Sequence, residues 1–214
     1  MKKADFGKIE EAIVSNSFES LQKLEEKGMF EEYNHRVDKK KGFKFEKTSS
    51  KILFPPKHIR IKNKDYIVFQ LSNGILKIID RRGKDRIKVK EKIDFSNNEV
   101  YLYRNSFTTT DKNGNLIQVD LKGNVFKTPL KLSNDHKINM TTKTLVTLSE
   151  NILTIKGVPV ILPYGNYTSP QIFYFNDTLY ISVTNIDSSK VYLFFSSGKL
   201  VNGFPVYGNS SVDI

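Results

Sequence analysis

The sequence predicts an all-β protein, a β-propeller-like stack of about four four-stranded antiparallel blades. Three observations predict it: a ten-residue phrase that recurs forty residues further on, apolar residues with a period of two from about residue 57, and regularly spaced turn signals. The two copies are residues 74–83 and 114–123, and Gly, Leu, Asp and Gly hold the same offsets in both. A repeat of this length is typical of a structural unit that buries its apolar face only by stacking on its neighbours.

Each unit opens with a pattern that predicts a β-hairpin, in which apolar residues alternate around a short polar turn. The predicted turns are Asn63–Lys64, Arg104–Asn105, Thr142–Lys143 and Asn176–Asp177. A second hairpin follows, and its signals are Asn73–Gly74 and Asn113–Gly114. Such pairs favour two-residue turns in which both central residues have positive φ, so we expect positive φ at both positions.

The units place the repeat domain at residues 38–214, with blades near 57–92, 98–132, 138–162 and 170–206. Unit three is degenerate, since Asn151 stands where the first glycine is expected. Unit four keeps Val191 and Gly198 but has Phe195 in place of the aspartate. Because the sequence stops at residues 211–214, where another blade would be expected to begin, we expect a partial propeller that is truncated at the C-terminus, with its remaining blades missing from this chain.

Residues 1–37 differ from the rest, because their apolar residues recur at helical spacing among Lys and Glu. Asn16 with Glu19 is typical of a helix start, and Gly28 of a helix end. We therefore expect a short α-helical N-terminal segment. No stretch approaches the ~20 apolar residues of a membrane helix, and no signal peptide is predicted, so the residues alone leave the localisation open.

The chain is strongly basic, with a net charge of +11 from 34 Lys and Arg against 23 Asp and Glu. Such a balance is compatible with a nucleic acid or another anionic partner. The basic residues are scattered, however, and a solvated surface is favoured over a nucleic-acid footprint, which concentrates charge on one face. The densest cluster is Arg81, Arg82, Lys84, Arg86, Lys88, Lys90 and Lys92.

No motif for catalysis, a cofactor or a metal is found. The chain has no cysteine or tryptophan, no Walker loop, no dinucleotide fingerprint and no nucleophile elbow, and its three histidines lack the spacing of a zinc site. Asp111, Asn113 and Asn115 resemble a calcium loop faintly, but Lys122 stands where a bidentate Glu is needed. We predict structural turns for the repeat residues, which are Gly74, Asp80, Gly83, Gly114, Asp120, Gly123 and Gly198.

Several phrases resemble one protein family. They are 64–68 (KDYIV), 80–83 (DRRG), 107–110 (FTTT), 143–150 (KTLVTLSE) and 202–209 (NGFPVYGN). The region from Gly42 onward thereby resembles the C-terminal β-propeller of large bacterial cell-envelope proteins, which often carry the automatic name ribonuclease HII. The resemblance implies a propeller and a location in the cell envelope or periplasm. It implies no reaction, since the opening phrase of ribonuclease HII (GxDExGRG) is absent and Asp80 and Asp120 belong to different predicted blades.

The connection between the third and fourth units contains Tyr164, Asn166 and Tyr167, which form a candidate binding loop because connections between blades often carry function. A linker that only crosses one propeller face is the alternative for this loop. We expect a non-catalytic scaffold or binding module with a protein or polymer partner on a propeller face. The alternative is a nucleic-acid-binding or nuclease protein, and a hydrolase with a pocket at the propeller axis is a third hypothesis.

Overall fold

The computed structural model describes residue 48 and residues 50–212. The chain divides into two compact units. One comprises Thr48–Asp80 and Asp85–Ile214 and holds the strands given below, whereas the other comprises Met1–Lys47 with Arg81–Lys84. The helices predicted within residues 1–37 lie outside the described residues. In the described part of the chain, no helix is long and apolar enough to cross a membrane.

The described residues form four four-stranded antiparallel sheets, each of which pairs its strands in chain order. The predicted propeller of four such blades is confirmed. Sheet 1 consists of β1 (Lys57–Ile61), β2 (Lys64–Gln70), β3 (Leu76–Ile79) and β4 (Asp85–Ile87). Sheet 2 consists of β5 (Tyr101–Tyr103), β6 (Ser106–Thr110), β7 (Asn115–Val119) and β8 (Val125–Pro129).

The third and fourth sheets have the same order of strands. Sheet 3 consists of β9 (Lys137–Met140), β10 (Leu145–Ser149), β11 (Ile152–Ile155) and β12 (Val158–Ile161). Sheet 4 consists of β13 (Gln171–Phe175), β14 (Thr178–Asn185), β15 (Lys190–Phe195) and β16 (Val206–Tyr207). The first strand of every sheet lines one central opening, to which Lys57, Tyr101, Asn139 and Gln171 contribute.

Consecutive sheets bury apolar side chains between them, as the alternation of apolar residues requires. One core joins sheets 1 and 2 and includes Val68, Ile78, Phe107 and Ile117. A second core joins sheets 3 and 4 around residues such as Leu153 and Ile181. A smaller core joins sheets 2 and 3 through Tyr103, Leu116, Ile138 and Met140.

One backbone hydrogen bond recurs in all four sheets. The chain shortly after the fourth strand donates an N–H to the carbonyl oxygen of the residue that ends the turn between the second and third strands. We call these four contacts the exit bonds. They are Ile93 to Gly74 (2.8 Å), Leu130 to Gly114 (3.4 Å), Leu162 to Asn151 (2.8 Å) and Gly208 to Ser189 (3.0 Å). The exit bond therefore persists in units three and four, where the glycine has been replaced.

The turn geometry differs from the sequence prediction at Asn73–Gly74 and Asn113–Gly114. Only the glycines have positive φ, at 86° and 72°. The amide of each glycine donates to the residue three positions earlier, Leu71 or Asp111, which produces a longer turn closed by one left-handed glycine. The expectation of positive φ at both asparagines was thus wrong. Both central residues do have positive φ at Arg104–Asn105 and at Asn176–Asp177.

The turn at Gly123 brings sheet 2 against the connection from sheet 1. Its carbonyl oxygen accepts the N–H of Lys90 at 3.0 Å. A Cβ added at Gly123 would overlap the backbone carbonyl of Lys88, whereas a Cβ added at Gly157 would meet nothing within 4 Å. The two glycines have similar φ values, 82° and 87°. Alanine variants of the two glycines therefore distinguish two contributions to the free energy of unfolding: the strain of a left-handed backbone and the close approach between sheets.

We predict that Gly123→Ala lowers the free energy of unfolding by about 3 kcal/mol or more, because it adds a backbone overlap to the conformational strain. Gly157→Ala should cost only the strain of a left-handed alanine, about 1 to 2 kcal/mol. Urea unfolding followed by circular dichroism measures both values. Equal losses in the two variants would show that the contact between Gly123 and Lys88 does not hold the sheets.

Candidate functional site

The predicted turn residues lie in the turns between strands. The five repeat glycines have positive φ: Gly74 (86°), Gly83 (81°), Gly114 (72°), Gly123 (82°) and Gly198 (83°). The amide of Gly123 donates to the carbonyl of Asp120, and the amide of Gly198 donates to the carbonyl of Phe195. Phe195 therefore occupies the same place in its turn as Asp120, although it has no carboxylate.

The carboxylate of Asp120 is engaged within its own turn. Its Oδ1 accepts the backbone N–H groups of Lys122 (2.8 Å) and Asn124 (2.9 Å), and its Oδ2 accepts the side-chain amide of Asn124 at 2.7 Å. The hydrogen bond from the Asn124 side chain is the largest cause that lowers the pKa of Asp120 below its usual range. Asp111 accepts from Asn115 in the same way, so this arrangement serves two turns of sheet 2.

The acidic residues do not converge on an ion in the described part of the chain. Asp80 follows β3 in sheet 1, and Asp120 follows β7 in sheet 2. No group of three His, Cys, Asp or Glu residues that could hold a metal is found among the described residues. His58 contacts Asp65 at 2.9 Å, and His136 belongs to the buried network described below.

The central opening is a cavity of about 490 Å³ lined mainly by polar side chains. On its wall, Lys57 forms an ion pair with Glu99 at 2.5 Å and lies 4.1 Å above the ring of Tyr101. Burial, with a smaller contribution from Glu99, raises the pKa of Tyr101 to about 12, so its hydroxyl stays protonated. That hydroxyl donates to the carbonyl of Ile138 at 3.4 Å. These contacts tie the first strands of sheets 1, 2 and 3 together.

A buried hydrogen-bond network lies beside the opening, centred on Asn98. The Nδ2 of Asn98 donates to Thr110 Oγ1 (3.1 Å) and to the carbonyl of His136 (3.0 Å), and its Oδ1 accepts the N–H of Ile138 at 3.1 Å. Its own carbonyl accepts the side-chain amide of Gln70 at 3.0 Å. Asn98 thus connects three sheets and satisfies polar groups that would be costly to bury alone.

Sequence reasoning did not find this network. Gln70 and Thr110 hold equivalent positions, four residues before Gly74 and Gly114. A polar residue at the same offset in two units was therefore the signal that could have found them. Because these side chains are buried and bonded to one another, the network serves packing between sheets rather than chemistry on a ligand.

A second recurring contact lies at the end of each sheet where the second strand turns into the third; we call this end the turn face. The segment that leads into a sheet, which we call its bridge segment, pairs there with the end of the second strand. In three sheets this pairing is a single β-bridge: Ile52 with Leu71, Phe95 with Asp111, and Tyr167 with Asn185. In sheet 3 the same place is held by Ser133, whose N–H donates to Ser149 Oγ at 2.8 Å.

The candidate binding loop is the bridge segment of sheet 4, and its three residues have different environments. Tyr167 is buried, and its hydroxyl donates to the carbonyl of Pro163 at 2.6 Å. The N–H of Asn166 donates to Asp187 at 2.8 Å, and this backbone bond is the largest cause that lowers the pKa of Asp187. Tyr164 is 87% exposed. The three side chains therefore do not act as one cluster.

The loop borders a cavity of about 310 Å³ on the turn face, which the bridge segment of sheet 3 also lines. Polar and charged groups dominate its wall, among them Asp135, Lys137, Glu150 and Asn166. A larger cavity of about 720 Å³ lies beside the bridge segments of sheets 1 and 2. Equivalent elements of the repeat thus create recesses on the turn face.

No family model matches the chain, and no curated protein matches it. Similar solved structures share the fold at low identity. BBS1N, crystallised in complex with ARL6DN and soaked with mercury, has a TM-score of 0.50 and 14% identity, covering 72% of this chain and 53% of that chain.

Two further structures are more distant. BamB from Moraxella catarrhalis has a TM-score of 0.47 and 14% identity over 72% of this chain and 50% of that chain. The computationally designed protein Ika8 has a TM-score of 0.43 and 11% identity, covering 67% and 46%. The chain spans about half the length of the chains it matches.

Asn98 and its neighbour Asn97 provide a matched test of the buried network. We predict that Asn98→Ala lowers the free energy of unfolding by about 3 kcal/mol, because several buried groups lose their partners. Asn97→Ala should stay within about 0.5 kcal/mol of the wild type, since Asn97 is exposed. Thermal and urea unfolding measure both. A loss below about 1 kcal/mol for Asn98→Ala would contradict a network that holds three sheets.

Proposed function

We propose that this chain is a binding module of a cell-envelope protein, which holds a protein or polymer partner on one propeller face and catalyses no reaction itself. The fold supports a scaffold or binding module in general, because a propeller presents flat faces built from equivalent connections. The assignment to the cell envelope is supported by the phrases named above, such as 143–150 and 202–209.

The observation that carries the proposal is the turn face. Its backbone is fixed by the repeated bridges, whereas parts of its side-chain surface remain accessible. Tyr164 projects from a loop that is anchored on both sides, by Tyr167 to Pro163 and by Asn166 to Asp187. An exposed aromatic on an anchored loop beside a polar recess is typical of an interface anchor, since the backbone loses little conformational entropy on binding.

The repeat residues also favour binding over catalysis. The carboxylate of Asp120 is used in its turn, and the polar groups of the central opening are used between sheets. A ribonuclease acting through two metal ions requires several carboxylates around one point. Asp80 and Asp120 stand in separate sheets. This separation supports a resemblance to the proteins automatically named ribonuclease HII without the ribonuclease activity.

Tyr164→Ala tests the proposal against a matched control, Tyr207→Ala. Both tyrosines are 87% exposed, but Tyr207 lies in β16, the outermost strand of sheet 4. The full chain, immobilised, is incubated with cell-envelope material from the organism that encodes it, and the retained protein and polymer are quantified. We expect Tyr164→Ala to reduce retention of the main partner about tenfold or more, as loss of an aromatic hot spot does. Tyr207→Ala should retain it fully.

Two results would contradict the proposal. The first is equal retention by the wild type and both tyrosine variants. The second is hydrolysis of a labelled RNA–DNA hybrid with Mg²⁺ or Mn²⁺ that Asp80→Asn abolishes, because that result would assign the recurring acids to catalysis.

A further inference from the structure

The connection from sheet 1 to sheet 2 carries a row of cations. Residues 86–92 begin in β4, the outermost strand of sheet 1, and continue toward sheet 2. Four exposed basic residues lie along this segment, together with Ile87, which is buried, and Val89, which packs against the core of sheets 1 and 2. We call these four residues the basic stripe: Arg86, Lys88, Lys90 and Lys92.

The backbone of the stripe is held at its middle and at its C-terminal end by repeat glycines, and its N-terminal end belongs to β4. The N–H of Lys90 donates to the carbonyl of Gly123 at 3.0 Å, and the N–H of Ile93 donates to the carbonyl of Gly74 at 2.8 Å. Arg86 lies 5.3 Å from the ring of the buried Tyr66. The charges are therefore presented from a fixed backbone rather than from a free loop, which lowers the entropy cost of binding.

The charges of the stripe are not neutralised within the described residues. None of the four forms an ion pair there; Lys90 donates only to the uncharged side chain of Asn124, at 2.6 Å. Nearby carboxylates are already engaged, since Asp85 pairs with Lys77 at 2.7 Å and Asp94 with Lys112 at 2.8 Å. Glu91 is the one carboxylate inside the segment. Among the residues that the structure describes, the stripe thus keeps an excess of positive charge.

We propose that the basic stripe binds a linear phosphodiester polymer, whose regularly spaced anionic groups follow the row of cations. Four cations along one seven-residue segment fit a chain of repeated charges better than a compact anion, which would meet only one or two of them. Arg86 lies in β4, and the three lysines lie in the connection from sheet 1 to sheet 2, where Lys92 lines the cavity of about 720 Å³. Tyr164 lies in a different connection, from sheet 3 to sheet 4. The inference therefore stands apart from the partner proposed at Tyr164.

The test uses the full chain and a fluorescently labelled oligothymidylate of about 20 nucleotides, with binding followed by anisotropy over a range of salt concentrations. Four phosphate contacts predict that log K falls with log salt at a slope of about −2.8. The affinity of the wild type should therefore drop about 50-fold between about 50 mM and about 200 mM salt.

A stripe variant and a matched control decide whether position or net charge is responsible. The stripe variant changes Arg86, Lys88, Lys90 and Lys92 to Gln and should lose the salt dependence and about 50-fold in affinity at about 50 mM salt. The control changes one exposed lysine in each sheet or its turns to Gln and should change affinity less than about threefold. The four control positions are Lys64, Lys127, Lys143 and Lys199.

A charge-preserving variant and a competition experiment complete the test. Lys88→Arg, Lys90→Arg and Lys92→Arg together retain the charge, so this variant should bind like the wild type. Unlabelled oligothymidylate should compete, whereas inorganic phosphate at the same phosphate concentration should not, because a compact anion meets only one or two of the cations.

The inference would be overturned by any of three results. The first is no binding of the oligothymidylate at about 50 mM salt. The second is an equal loss of affinity in the stripe variant and in the control. The third is equal competition by inorganic phosphate at the same phosphate concentration. Tyr164→Ala should leave the binding of oligothymidylate unchanged. The proposal for the basic stripe and the proposal for the turn face can therefore fail independently.

Discussion

Apolar contact between consecutive sheets is the interaction on which the rest of the structure depends. Each sheet is too small to bury its own residues, so Phe107 and Ile117 of sheet 2 are buried only because Val68 and Ile78 of sheet 1 face them. This packing sets the distance between sheets. The exit bonds and the bridges on the turn face then fix the connections against sheets whose spacing is already determined.

The fold could be predicted because its rules are local in sequence. A period of two places Val68 and Ile78 on a buried face, and glycine at positions 74 and 114 permits the left-handed backbone that the turn needs. The degenerate units were harder to read, since Asn151 and Ser189 supply the same carbonyl without a glycine. An exit bond uses only the backbone, so the side chain at its acceptor is free to change.

The details of the site could not be predicted, because they depend on contacts between units. Asn98 resembles any polar loop residue in the sequence, yet it connects Gln70, Thr110 and His136 from three units. Tyr164 and Tyr167 stand in one short loop but differ completely in burial. Pairing of Tyr167 with Asn185 directs one ring inward, and no local pattern encodes that pairing. The turns at Asn73 and Asn113 differ from the prediction because the glycine amide bonds to the residue three positions earlier, so only the glycine has a positive φ.

Hydrogen exchange at the amides of Ile93, Leu162 and Gly208 tests the central claim most directly, because these amides donate the exit bonds outside regular strands. If the packed sheets fix their connections through the exit bonds, these amides should exchange as slowly as the core amides of Ile78 and Leu153. Exchange at the rate of an unstructured loop, while the core amides stay protected, would contradict a structure in which the packed sheets fix their connections.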